Sequence, residues 1–108
     1  MVEYTLSLDN IFSSLADPIR RDILNRVRYG ELNISEIAAP YSVSLAAISK
    51  HLKILERAQL ITKRKRGKEQ LVTISPAALK QADDYIEQYA VLWNDRFDRL
   101  ETLLNKGE

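Results

Sequence analysis

Lys50, Lys53 and Arg57 recur at spacings of three and four residues, and the run Lys63-Arg64-Lys65-Arg66-Gly67-Lys68 follows shortly after. Cations in this number pair with an array of phosphates. Ser44, Ala46 and Ser49 precede them, small or hydroxyl-bearing residues of the kind that let a helix approach base edges closely. On a helical wheel Ala46, Ser49, Lys50, Lys53 and Arg57 share one side, and Leu45, Ile48, Leu52 and Leu55 share the other. The polar side carries no acid. An ordinary amphipathic surface helix, the alternative, would mix Glu and Gln among its lysines.

The net charge of +1 hides a strong segregation. Residues 44–70 hold eight basic residues against Glu56 and Glu69, a net charge of +6, whereas residues 1–43 carry −2 and residues 71–108 carry −3. A polyanion would meet one cationic face on an otherwise acidic body. A charge run is often only a solvated surface. Here it coincides with a helix and a hairpin tip, which favours a phosphate-bearing partner.

The elements that position these residues can be read in order. A first helix is expected from about Asp9 to Leu15. Asp17-Pro18 reads as N-cap and first helical residue of a second helix, which Gly30 stops after Tyr29. Asn33 or Ser35 starts a third helix that Pro40 ends, and Tyr41-Ser42-Val43 turns the chain into the helix that opens on Ser44. Leu60-Ile61-Thr62 and Leu71-Val72-Thr73-Ile74, rich in β-branched residues, flank the basic tip as a hairpin. Helix, turn, helix and basic hairpin in this order lay one helix in a DNA groove while the hairpin grips flanking phosphates.

Pro76 opens a last helix expected to run unbroken to about residue 105. Leu79, Ala82, Ile86, Tyr89, Trp93, Phe97, Leu100 and Leu104 form a heptad-like seam with one four-residue stutter. So long an apolar stripe exceeds what a small body can cover. Trp93, Phe97, Leu100 and Leu104, with Ile11, Phe12 and Leu15 of the first helix, are therefore expected to form a two-fold dimer interface. Tyr85, Tyr89, Trp93 and Phe97 could also wall a small-molecule pocket, although aromatic stripes at helical spacing more often serve packing.

One domain over residues 1–108 is expected. It divides into 9–29 for the first two helices, 34–58 for the helix-turn-helix, 60–74 for the hairpin and 76–105 for the long helix. No apolar run nears the roughly 18 residues of a membrane span, and MVEYTLSLDN lacks the regions of a signal peptide, so a cytoplasmic protein without membrane partners is expected. The chain has no cysteine and one histidine, His51. Nucleophile–base pairs and a glycine-rich phosphate loop are missing, so no enzyme is expected. His51 lies at the edge of the apolar face with no second ligand in view, which favours a packed, hydrogen-bonded ring over a metal ligand.

LADPIRRDILNRV, ISEIA, the block SLAAISKHLKILERAQLI and the basic hairpin together resemble the ArsR (arsenical-repressor-like) family of bacterial winged-helix transcription regulators. The likeness spans about residues 12–104 and is most specific at Ser44, Ser49, His51, Leu52, Leu55, Leu60 and Ile61. It implies a mainly α fold with a small β-hairpin wing, in the order α-α-α-α-β-β-α, dimeric through the first and last helices. It also implies a repressor that binds a palindromic operator in double-stranded DNA and is released by an inducer. Carried over by position, the DNA-facing residues are Ser44, Ala46, Ser49, Lys50 and Lys53, with Arg64, Lys65, Arg66 and Lys68 on the wing.

The chain departs from the family's metal sensors. Where some carry a cysteine pair in the third helix, it has Ile34-Ser35-Glu36-Ile37-Ala38. Its last helix offers Asp83, Asp84, Glu87, Asp95, Asp98 and Glu101 without a histidine, and soft or borderline metals want imidazole or thiolate. The resemblance is therefore to the subgroup lacking metal-ligand cysteines, and no metal or cofactor is expected. The competing readings are a winged-helix module that docks protein and a divalent-metal sensor built from carboxylates alone. A protein-docking module has no use for five positive charges in six residues.

Overall fold

Asp17 and Pro18 start a helix by complementary means. The Asp17 carboxylate accepts from the Ile19 and Arg20 backbone N–H groups at 2.8 and 3.3 Å, and Pro18 occupies a position that needs no donor. The computed structural model describes residues 2–106, and side-chain surroundings for residues 8–105. Its elements are α1 (Val2–Leu15), α2 (Pro18–Val27), β1 (Leu32–Asn33), α3 (Ile34–Ala38), α4 (Leu45–Arg57), β2 (Ile61–Arg66), β3 (Glu69–Ile74), α5 (Pro76–Glu87) and α6 (Ala90–Lys106). The order is that of a winged helix-turn-helix, with two elements more than the sequence suggested.

The core forms where the apolar faces of these elements meet. Ile23, Leu24 and Val27 of α2, Ile37 of α3 and Ile48, Leu52 and Leu55 of α4 are buried together with Leu60, Ile61 and Val72 of the hairpin region. Ile11 of α1 and Ala78 and Ala82 of α5 close the other side. α4 ends in a Schellman turn. The Gln59 N–H reaches the Glu56 carbonyl at 2.9 Å and the Leu60 N–H reaches Leu55 at 3.0 Å, with Gln59 at φ 61° in the position that glycine usually takes. That turn delivers Leu60 straight into the core.

Several expectations change. α1 begins at Val2 rather than near Asp9, and α2 closes at Val27, with Arg28 as its C-cap, before Tyr29. Leu45, expected on the apolar side of α4, is 59% exposed, because the helix's first turn projects past the edge of the body. β1 was not foreseen. It pairs antiparallel with β3, Leu32 opposite Val72 and Asn33 opposite Leu71, giving a three-stranded sheet in the order β1-β3-β2. Two residues are too few to show an alternation.

The basic segment is strand rather than loop. β2 and β3 stay in register out to Arg66 opposite Glu69, and the turn is Gly67-Lys68 alone, with Gly67 at φ 62°. A two-residue hairpin turn needs a positive φ, which glycine adopts without strain. The strand therefore deals its charges alternately to two faces, Lys63 and Lys65 on one and Arg64 and Arg66 on the other.

The last helix is two helices. The chain tightens at Gln88-Tyr89, where Gln88, Tyr89 and Leu92 donate to carbonyls three residues back, Tyr85, Ile86 and Tyr89. No proline or glycine causes this. The Tyr89 ring turns back onto Tyr85 at 5.7 Å, and Ala90 is buried, so the chain ends its packing here before leaving the body. Every side chain from Val91 to Asn105 is exposed, and α6 extends a molecule measuring 63 × 37 × 23 Å. Ile11, expected between subunits, is only 1% exposed inside its own chain, and Leu15 packs against the same core.

The orientation of α4 can be checked by two truncations. Leu52→Ala should cost about 2–5 kcal/mol, and Leu45→Ala should stay within about 0.5 kcal/mol of the parent, in urea unfolding. Equal losses would mean that α4 sits in the body with a different face inward.

Candidate nucleic-acid interface

The face that α4 turns outward is fixed by what it buries and by where it starts. Ser44 is the N-cap, its hydroxyl oxygen accepting from the Ala47 N–H at 3.1 Å. Beyond it Ala46, Lys50, Lys53 and Arg57 are exposed and Ser49 is half-buried. Among the described residues Lys50, Lys53, Arg57, Lys65, Arg66 and Lys68 form no ion pair. Their charge is left to solvent or to a partner.

Polar braces hold this face in place. The guanidinium of Arg20, on α2, donates from Nε to the Ser14 carbonyl at 2.8 Å and from Nη2 to Ser13 at 3.2 Å, capping the end of α1. Its Nη1 lies 3.1 Å from His51 Nδ1 on α4. Arginine can only donate, so Nδ1 is the acceptor of this hydrogen bond. The buried Ser14 hydroxyl adds a 3.4 Å bond to the Ile54 carbonyl of α4. Burial raises the Asp17 carboxyl, but the N–H groups of Arg20 and Ile19 and the charge of Arg20 outweigh it and hold the group below its ordinary value.

α3 is braced from α2. Arg26 donates to the Ile37 and Glu36 carbonyls at 2.7 and 2.8 Å and stacks 5.4 Å from the Tyr41 ring centroid. At its other end Asn33 and Glu36 form a reciprocal capping box. The Tyr41 hydroxyl donates to Asp22, and burial followed by that bond pushes its pKa up. Helix, turn and reading helix are thus tied to α2 at both ends.

The wing is tied down as well. Lys63 reaches Glu56 of α4 at 3.4 Å, and Arg64 pairs with Glu31 through two bonds of 2.6 and 3.2 Å. The second pair crosses the central strand over Leu71, which stands opposite Arg64 on one side and Asn33 on the other and is buried. The Arg64 hydrogen bond holds the Glu31 carboxyl below its usual range, and Glu31 in turn raises Arg64. Arg64, expected to face DNA, is therefore engaged inside the chain.

Lys68, Glu69 and Gln70 at the wing turn share a cleft of about 400 Å³ with Leu45 of α4 and with Asn33, Ile34 and Ser35 at the start of α3. The structure thus brings the first turn of α4 and the wing turn to one place. Sequence reasoning missed Glu31, Arg20 and Leu45. Glu31 lies far from its partner in the chain, and only the fold shows that the guanidinium of Arg20 points inward.

The residues expected between subunits lie elsewhere. Phe12 meets Tyr85 edge-on at 5.9 Å, and Tyr85 meets Tyr89 in the same way. Trp93, Phe97, Leu100 and Leu104 are exposed on α6. Of the aromatic stretch, Tyr85 and Tyr89 pack within the chain and Trp93 and Phe97 stand on the exposed arm. No helix among the described residues is long and apolar enough to cross a membrane.

Residues 15–64, the span from the end of α1 into β2, match the family model of a helix-turn-helix domain. The chain is 37% identical to an HTH-type transcriptional regulator, Rv2034, of Mycobacterium tuberculosis, over 68% of each chain. It is 28% identical to the transcriptional repressor SdpR of Bacillus subtilis, over 73% of this chain and 88% of that protein. A crystal structure of an ArsR family transcriptional regulator superposes with a TM-score of 0.78 at 30% identity, covering 83% of this chain and 93% of the other. The chain belongs to the ArsR family of winged helix-turn-helix transcriptional regulators. In this ArsR-family chain α3 and α4 form the helix-turn-helix, and β2 and β3 form the wing.

The Glu31–Arg64 brace has a pH signature. A carboxyl whose folded pKa is lowered contributes stability fully above its unfolded value, ~4.3, and loses it as pH falls through the lower folded value. Thermal midpoints of the parent should exceed those of Glu31→Gln at neutral pH, and the gap should close below about pH 4. A gap that persists undiminished in acid would remove the ion pair from the account.

Proposed function

We propose that this ArsR-family protein is a homodimeric repressor that sets two α4 helices into the two halves of a palindromic operator and is released by a non-metal signal. One observation carries the DNA part of the reading. Six cations on α4, β2 and the wing turn form no ion pair among the described residues, while the other cations of the region, Lys63 and Arg64, are spent on bracing it. Phosphate is the chemistry that fits such an array. Ser44, Ala46, Ser49 and Lys50 approach base edges, and Lys53, Lys65, Arg66 and Lys68 meet the backbone. Arg64 acts through the sheet rather than by touching DNA. The protein acts by binding rather than by catalysis, in the cytoplasm where bacterial DNA lies.

The dimer is supported by the arm. Trp93, Phe97, Leu100 and Leu104 expose an apolar stripe along α6, with Phe12 and Tyr89 at its root. Burying such a side chain contributes on the order of 1.5–3 kcal/mol, and two-fold symmetry repeats each gain in the partner. Two reading helices must stand about 34 Å apart to enter successive major grooves on one side of DNA, and a rigid arm on each protomer provides that spacing. A chain without cysteine, whose one histidine contacts Arg20, lacks the thiolate and imidazole sets that a soft metal wants, and the signal we assign is a non-metal one.

Binding to duplex DNA should fall steeply with salt, with a log–log slope of roughly −5 to −9 for six to ten phosphate contacts. Lys65→Ala with Arg66→Ala should flatten that slope and weaken random and operator duplexes alike, more than Arg64→Ala does. Affinity that ignores salt in a filter-binding or fluorescence-anisotropy titration would defeat the wing assignment.

Leu100→Asp places a charge in the apolar stripe of both protomers. Sedimentation should show a shift toward monomer and operator binding should be lost, with helix content by circular dichroism kept. A variant that remains dimeric at micromolar concentration would show that the subunits join by another surface.

A further inference from the structure

Among the described residues, the large apolar side chains left exposed fall into three groups. Those of α1, α5 and α6 belong to the arm and its root. Tyr29, 77% exposed, already holds the guanidinium of Arg28 4.5 Å from its ring centroid. Two remain, Val43 at 39% and Leu45 at 59% exposure, and they flank the Ser44 cap at the leading end of the reading helix.

We propose that Leu45 is a specificity residue whose side chain seats against a thymine 5-methyl group in the major groove, an inference that rests on α4 being the reading helix. Leu45 shares its cleft with Lys68, Glu69 and Gln70 of the wing; Glu69 accepts from the Asn33 amide at 3.2 Å, and Lys68 forms no ion pair, so whatever covers Leu45 must also satisfy that cation. A duplex does both, with phosphates at the wing and base edges at the helix tip. The thymine methyl is the apolar group that a major groove presents. The rest of the tip agrees with this. Val43, Ser44, Ala46 and Ala47 include no Arg, Asn, Gln or Glu, the residues that make bidentate hydrogen bonds to bases, whereas Lys50 and Lys53 follow only a turn later. The tip reads shape and methyl groups, and the cations behind it supply affinity.

The test uses the full-length protein. Duplexes are selected from a random pool, and each enriched sequence is remade with single thymines, then all thymines, replaced by deoxyuridine, which pairs identically and lacks only the methyl. Loss of one contacted methyl should weaken binding roughly fourfold, as expected for one buried carbon. Leu45→Ala, a change at an exposed position, should bind the thymine and deoxyuridine forms of the duplex equally. Parent protein that selects a sequence yet binds both forms equally overturns the proposal and leaves the DNA-reading function intact. A methyl dependence that survives unchanged in Leu45→Ala also overturns it, because another group is then the reader. If no sequence is enriched over random DNA, the assignment of α4 as reading helix fails, and this proposal fails with it.

Discussion

The burial of Ile48, Leu52 and Leu55 is the constraint on which the other features depend. These three side chains fix the rotation of α4 about its own axis, and rotation decides which residues a reading helix presents. A turn of about 100°, one residue's worth, would carry Lys50 and Lys53 off the outer face. Because the same three side chains sit among Ile23, Leu24 and Ile37, moving them would cost the core of the whole body. Orientation for function and stability of the fold are one set of contacts.

Polar contacts then fix what apolar packing leaves free. Arg20 ties α2 to the end of α1 and to α4, Arg26 ties α2 to α3, and Arg64 ties β2 to Glu31. Each arginine makes several bonds at once to carbonyls, a ring nitrogen or a carboxylate, a task for a planar fork of donors that lysine cannot match. The single histidine and one of the wing arginines are thereby used up inside the protein.

Much of this was legible from residue order. The caps at Asp17, Asn33 and Ser44, the inward face of α4 and the sign of the charge over residues 44–70 are local properties, and local chemistry sets them. What escaped was non-local or too short. β1 is two residues that are strand only because β3 lies beside them. The joint at Gln88-Tyr89 breaks no periodicity, since the spacings of three and four run across it, and only the stutter after Tyr89 marks the place. Among the candidate DNA-facing residues, the cation already paired, Arg64, looked the same in sequence as its free neighbours. Leu45 looked like core because it stands three residues before Ile48, but the helix there has already run past the body that would cover it.

The separation of charge along the chain also governs what a distant molecule perceives. Summed over the whole protein the charge is +1, close to nothing. At physiological salt, however, a charge is felt over only about 8 Å, far less than the 63 Å length of the molecule. A phosphate row near α4 and the wing therefore feels the cations in front of it and is blind to the carboxylates of α5 and α6. The chain can stay nearly neutral in bulk, free of the self-repulsion and indiscriminate adhesion of a strongly basic protein, and still act as a polycation at close range. At low ionic strength, where charge is felt over about 30 Å, an approaching duplex also exerts a torque on such a dipole and turns its cationic side forward.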